Sequence, residues 1–175
     1  KFEVLSNVKG ALNPDDFENE ITRLTIESIQ AIKVIQGNNG ELGANRYIIS
    51  NNENALNVME TFALIRLSDW ENPTVDVVPL FESVDDLLNA HNVMEQLYTN
   101  PVYANHLVNR EMKQTIMLGF SDGTKDGGYL MANWSIYKAK EELTAISRKY
   151  GIKVIFFDGR GGPPSRGGGK THKFY

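Results

Sequence analysis

The chain has 175 residues, 41% of them hydrophobic and 10% aromatic, with a formal net charge of −4, which suits one globular domain with a real core. No whole-chain basic excess points to nucleic acid, although the last sixteen residues are locally basic, and the lack of cysteine excludes a disulfide framework, a thiolate metal site and cysteine redox chemistry. No apolar run approaches 18 residues and no secretory leader is visible, so no membrane partner is expected, and a cytoplasmic location fits.

The chain opens on Lys1 rather than methionine and closes on "HKFY", which reads as an excised piece of something longer. After the Asn13–Pro14 pair, a helical pattern is expected to about Gly37, with Asn13 as cap, Pro14 in the first turn and Asp15, Asp16 and Glu18 at the positive end of the dipole. Phe17, Ile21, Leu24, Ser28, Ile32 and Ile35 recur at steps of three and four and predict its buried face. "GNNGELGAN" then breaks the chain.

A repeating order follows. "RYIIS" (46–50) predicts a strand and 54–68 a helix; "VDVVPLFES" (75–83) predicts a strand, followed by a helix over 84–98 and a short one over 101–111. "TIMLGFSD" (115–122) predicts a third strand, 127–149 a long helix, and "KVIFFDG" (153–159) a fourth strand. The strands are nearly continuous apolar runs, as expected when both faces are covered. Their ends, at Ser50, Glu82, Asp122 and Phe157, lie 32, 40 and 35 residues apart, the spacing of successive βα units in a parallel sheet. The division is therefore a helical lead-in over 1–44 and four βα units over 45–175. An open doubly wound sheet and about half of a (β/α)8 barrel both satisfy this pattern, since a whole barrel takes roughly 250 residues.

The polar residues fall at strand ends, where α/β folds bind ligands. Glu82 closes the second strand, Asp122 the third, and Asp158 with Arg160 the fourth. Glu82 and Asp122 are hard oxygen donors suited to Mg²⁺ or Mn²⁺. The bland alternative is that Glu82 caps the next helix and Asp122 pairs with Lys125. In "SDGTKDGG" (121–128) the glycines permit a tight turn, Lys125 brings a cation to the strand end, and Asp126 is a candidate cap.

The glycine-rich run "GRGGPPSRGGGKTH" (159–172) is not a P-loop, because Pro164 stands where the first glycine of G-x-x-x-x-G-K-[ST] belongs. Nor is it G-x-G-x-x-G. It carries Arg160 and Arg166 six residues apart, and guanidinium forks grip phosphate and carboxylate in a bidentate manner. The ligand this predicts is small, anionic and metal-bound. His91, His106, Trp70 and Trp134 read as packing or surface residues, and His172 as a more open position.

"IMLGFSDGTKDGG" (116–128) followed by "FDGRGGPPSRGGGKTH" (157–172) resembles phosphoenolpyruvate carboxylase, and "YIIS" and "VVPLFESVDDLLNAHNVMEQL" look like the strands preceding those motifs in that family. The likeness runs in order over about 45–172. It implies part of a (β/α)8 barrel and an enzyme that carboxylates phosphoenolpyruvate with bicarbonate, releasing oxaloacetate and phosphate. By the same resemblance Glu82 and Asp122 match the metal carboxylates, Arg160 and Arg166 the substrate-binding and catalytic loop arginines, and Lys125 an active-site lysine. Asp158, a further catalytic candidate, stands where most members carry a catalytic histidine, and Phe120 and Gly123 replace the usual Tyr and Ser. The resemblance implies a homotetrameric, cytoplasmic parent; the segment alone is expected to be catalytically inactive and either to dimerise through exposed sheet edges or to cover those edges with residues 1–44.

Overall fold

The computed structural model describes residues 1–159. Four strands, β1 (Arg46–Ile49), β2 (Asp76–Phe81), β3 (Lys113–Gly119) and β4 (Lys153–Gly159), form one parallel sheet in the order β1-β2-β3-β4. Each strand is added on the same side of the one before it, an order consistent with part of a (β/α)8 barrel.

The crossovers are helices α3 (Ala55–Leu67), α4 (Val84–Thr99) with α5 (Pro101–Asn109), and α6 (Ser121–Lys149), preceded by α1 (Phe2–Ser6) and α2 (Glu20–Asn39). Short polar residues start them. Asn54 accepts from the backbone N–H groups of Leu56 and Asn57, Ser83 and Asp86 form a reciprocal capping box, and Asn100 caps α5 with Pro101 in its first turn. Ser83, not Glu82, is therefore the cap of α4.

The core lies between the sheet and these helices. Val77, Phe81, Ile116 and Leu118 from the strands meet Val58, Met59 and Phe62 of α3, Leu87, Met94 and Leu97 of α4, and Ala139 and Leu143 of α6. Burying each large aliphatic side chain contributes roughly 1.5–3 kcal/mol. The backbone register joins β2 to β3 only at Leu80↔Met117 and Phe81↔Leu118. Below that, the buried Gln114 amide donates to the Val77 carbonyl at 3.1 Å and accepts from the Tyr103 hydroxyl at 2.9 Å, tying β2, β3 and α5 together. Arg110, after α5, spans Asp76 at 2.6 Å and Glu41 at 2.7 Å, which fixes the start of β2 to the chain that leads into the sheet.

The first helical segment differs from expectation. Asn13 caps only a 3-10 turn, Pro14–Asp16; the chain extends at Phe17, and Asn19 caps α2. The buried face is Ile26 and Ile29, while Ile21 is 76% and Leu24 52% exposed. Apolar residues occupy more than one side of α2, so periodicity alone admits two stripes. Contacts beyond the helix select one: Gln30 donates to the Leu12 carbonyl, Gln36 to those of Ala44 and Thr74, and Lys33 to Asp69. The long helix also begins earlier than predicted. Helical turns start at Ser121, and Gly128, at φ 80°, breaks the run before the helix resumes, so Asp126 does not cap it.

His106 is the buried histidine of the core, 4.7 Å from the Phe62 ring and 6.0 Å from Tyr103. Burial, reinforced by the Arg110 charge, pushes its pKa down to about 4. The unfolded chain takes up that proton near pH 6.5, so this contribution to stability is whole above about 6.5 and is lost as pH falls toward 4. The expected loss is on the order of 3 kcal/mol. Urea unfolding of wild type and His106→Gln between pH 7 and pH 4 checks this. An acid slope unchanged by the substitution would show that other groups carry it.

Candidate functional site

Glycine builds the outgoing ends of β2 and β3. A Cβ on Gly119 would lie 3.0 Å from the Glu82 Cα and 3.2 Å from the Phe81 carbonyl oxygen, so any larger residue here would push the two strand ends apart by a few tenths of an ångström. One turn later, a Cβ on the buried Gly123 would lie 3.4 Å from the Glu82 carbonyl oxygen. The first turn of α6 thus passes over the Glu82 backbone, and Asp122, its neighbour in sequence, is brought to the strand end that Glu82 follows. Phe120 anchors this turn from beneath: it is buried and meets Tyr129 edge-on at 5.6 Å across the Gly128 break.

Asp122 is exposed and accepts from Lys125 Nζ at 2.7 Å. That hydrogen bond, with the attraction of the carboxylate, raises the Lys125 pKa. The pairing written above as the bland alternative is present. Among the described residues no group of three or more His, Cys, Asp or Glu side chains could hold a metal. Two carboxylates remain, and Mg²⁺ characteristically takes one or two, completing its shell with water and substrate oxygens. The donor set therefore fits a Mg²⁺-type ion completed by substrate, and it does not fit a closed structural metal site.

Asp158 is placed differently. It is in register with Leu118, and Phe156 and Val154, two and four residues earlier on the same face of β4, pack on the core beneath the helices. Its carboxylate receives Lys140 Nζ of α6 at 2.7 Å on one oxygen and 3.0 Å on the other. The side chain is thus engaged by the helix layer. Arg160 and Arg166, with Lys170 and His172, lie outside the described residues.

Sequence reasoning missed two residues. Lys140 carries no local signal, because its partner is 18 residues away. Asn52, three residues beyond the end of β1, is 1% exposed, and neither its amide nitrogen nor its oxygen has a partner among the described residues. A run of turn formers, "SNNEN", hides it in the sequence. Among the described residues two concavities lie away from these strand ends. Two adjoining cavities of about 510 and 300 Å³ share Arg66 and Glu71. Trp70 lines the first; Pro73, before β2, and His106, before β3, line the second, on the incoming side of the strands.

A family model described as phosphoenolpyruvate carboxylase matches residues 4–174. The phosphoenolpyruvate carboxylases of Nitrosomonas eutropha and Nitrosomonas europaea are each 35% identical to this chain over 161 residues. The match covers 89% of this chain and 17% of each relative, so the chain spans only a small part of the proteins it resembles.

Proposed function

Since the chain belongs to the phosphoenolpyruvate carboxylase family, we propose that it is a segment of an enzyme that carboxylates phosphoenolpyruvate with bicarbonate, yielding oxaloacetate and phosphate. The observation that supports this reading is the close approach at Gly119 and Gly123, which brings the first turn of α6, carrying Asp122, over the backbone of Glu82 just past β2. These two carboxylates would hold Mg²⁺ or Mn²⁺, which supplies Lewis-acid polarisation of substrate oxygens.

The chain's own groups do the rest. Bicarbonate oxygen attacks phosphorus, the enolate oxygen leaves, and carboxyphosphate forms; it breaks down to phosphate and carbon dioxide, whose carbon the enolate then captures. Charge gathers on phosphoryl oxygens in the first step. Arg160 and Arg166 neutralise it there, a stabilisation far stronger in a water-poor site than in bulk water. Lys125 adds a third positive charge at the β3 end, within reach of Asp122. The glycines around the arginines let backbone come close to an anion.

The 175-residue segment alone is a different object. At 17% of its relatives' length, it is proposed to bind metal and phosphate at most, with 1–44 as a helical lead-in and 45–175 as the βα units. Within the described sheet β1 and β4 are the outer strands, and self-association through those edges is the proposed state of the isolated segment. The parent is proposed to be a cytoplasmic homotetramer. No described helix is long and apolar enough to cross a membrane.

The test is an assay of the complete enzyme for phosphate release from phosphoenolpyruvate. Release that requires bicarbonate and yields oxaloacetate mole for mole is expected. Release of pyruvate without bicarbonate, or no release at all, would overturn the assignment.

A further inference from the structure

We propose that Lys140 and Asp158 form a positioning clamp that fixes the outgoing end of β4 for the reaction proposed above, on which this inference rests. Lys140 projects from a helix that is itself held firmly. Its neighbours Ala139 and Leu143 are buried in the core, and Ser147, two turns on, shares a 3.0 Å hydrogen bond with the Tyr98 hydroxyl. From that support the ammonium reaches both carboxylate oxygens of Asp158, at 2.7 and 3.0 Å, and lies 5.7 Å from the centre of the Phe156 ring. One lysine thus grips two residues on the same face of the strand, one by charge and one through the ring.

The next residue is held from the other side. A Cβ on Gly159 would lie 2.7 Å from the Met117 Cε and 3.2 Å from the Leu118 carbonyl oxygen, so the strand backbone is pressed against β3 there. Asp158 is thus held by α6 and Gly159 packed on β3, respectively two residues and one residue before Arg160 in the sequence. An ion pair with lysine needs an acid at this position, and Asp158 supplies one. The two residues act through the strand, not on the substrate, so they are positioning residues.

Both side chains are about one-third exposed, at 32% and 39%, and an exposed pair of this kind adds little to global stability. A clamp and an incidental surface pair therefore predict different results. In the complete enzyme, Lys140→Met and Asp158→Asn are each expected to lower kcat for phosphoenolpyruvate carboxylation about tenfold or more, in proportion to the precision of placement, with the urea midpoint nearly unchanged. The double variant should be no worse than either single one, since the same interaction is removed once. The reversed pair, Lys140→Glu with Asp158→Lys, should recover part of the loss. Native-state hydrogen exchange at Phe157, Asp158 and Gly159 should be faster in Lys140→Met, a readout independent of turnover.

Unchanged exchange at these amides together with wild-type kcat, or losses that add in the double variant, would overturn the clamp. An enzyme that releases no phosphate from phosphoenolpyruvate overturns the functional reading instead, and the exchange measurement then decides the clamp by itself.

Discussion

Replacing Asp122 with asparagine in the complete enzyme is expected to lower kcat for carboxylation on the order of 10²–10³-fold, with Mn²⁺ binding weakened in parallel. Asparagine keeps the shape and loses the charge. The carboxylate stands on the turn that Gly123 packs over the Glu82 backbone, so in the proposed site its removal would leave Glu82 as the remaining acidic donor. Initial rates, with water-proton relaxation for Mn²⁺, measure the two effects together. Lys125→Met separates the roles. If Asp122 served only to hold Lys125, at 2.7 Å, the two variants would behave alike and both would still bind Mn²⁺. Asp126→Asn, the same charge change four residues on, is expected to leave turnover near normal. Full Mn²⁺ affinity in Asp122→Asn would remove this carboxylate from the metal site.

Arg160→Ala is expected to cost more, about 10³-fold in kcat, the scale seen when an arginine that meets a transferring phosphoryl group is lost. Its side chain enters the argument from sequence, two residues beyond an aspartate that α6 holds in place. Arg160→Lys should recover little. An ammonium keeps the charge but offers no planar pair of donors matched to two phosphoryl oxygens. Single-turnover measurements place the loss on the chemical step if phosphoenolpyruvate still binds. Near-normal turnover in Arg160→Ala would sink the proposed role, and complete recovery in Arg160→Lys would reduce it to a point charge.

The departure at Asp158 takes on a definite meaning beside these expectations. The sequence reading counted it among the catalytic groups because it occupies the position of a histidine. In the structure its side chain is 39% exposed and its carboxylate is paired with the Lys140 ammonium, the contact the proposed clamp requires.

Much of the fold was legible before any coordinates. The alternation of apolar strand runs with helical periodicity marked the four described strands and their crossover helices, whereas the caps at Asn54, Ser83 and Asn100 came from the structure. The motifs around Asp122 and Arg160 were equally plain, because glycines and charged residues at set spacing survive as strings. Less legible was α2, where Ile21, Leu24, Ile26, Ile29, Val34 and Ile35 are apolar alike and only docking decides which two are buried.

By itself, the sequence determined the succession of βα units and the family, while Asp122, read as closing the third strand, stands in the first turn of α6. Those properties are local: a helix or strand is written in the spacing of residues a few positions apart, and a motif in their identity. Only the tertiary structure decided the order β1-β2-β3-β4, the buried face of α2, the bridge from Gln114 to Val77 and the partner of Asp158. Each of these joins residues that the chain separates by many positions, and such pairings are chosen by packing and hydrogen-bond satisfaction across the whole fold, which no local pattern encodes.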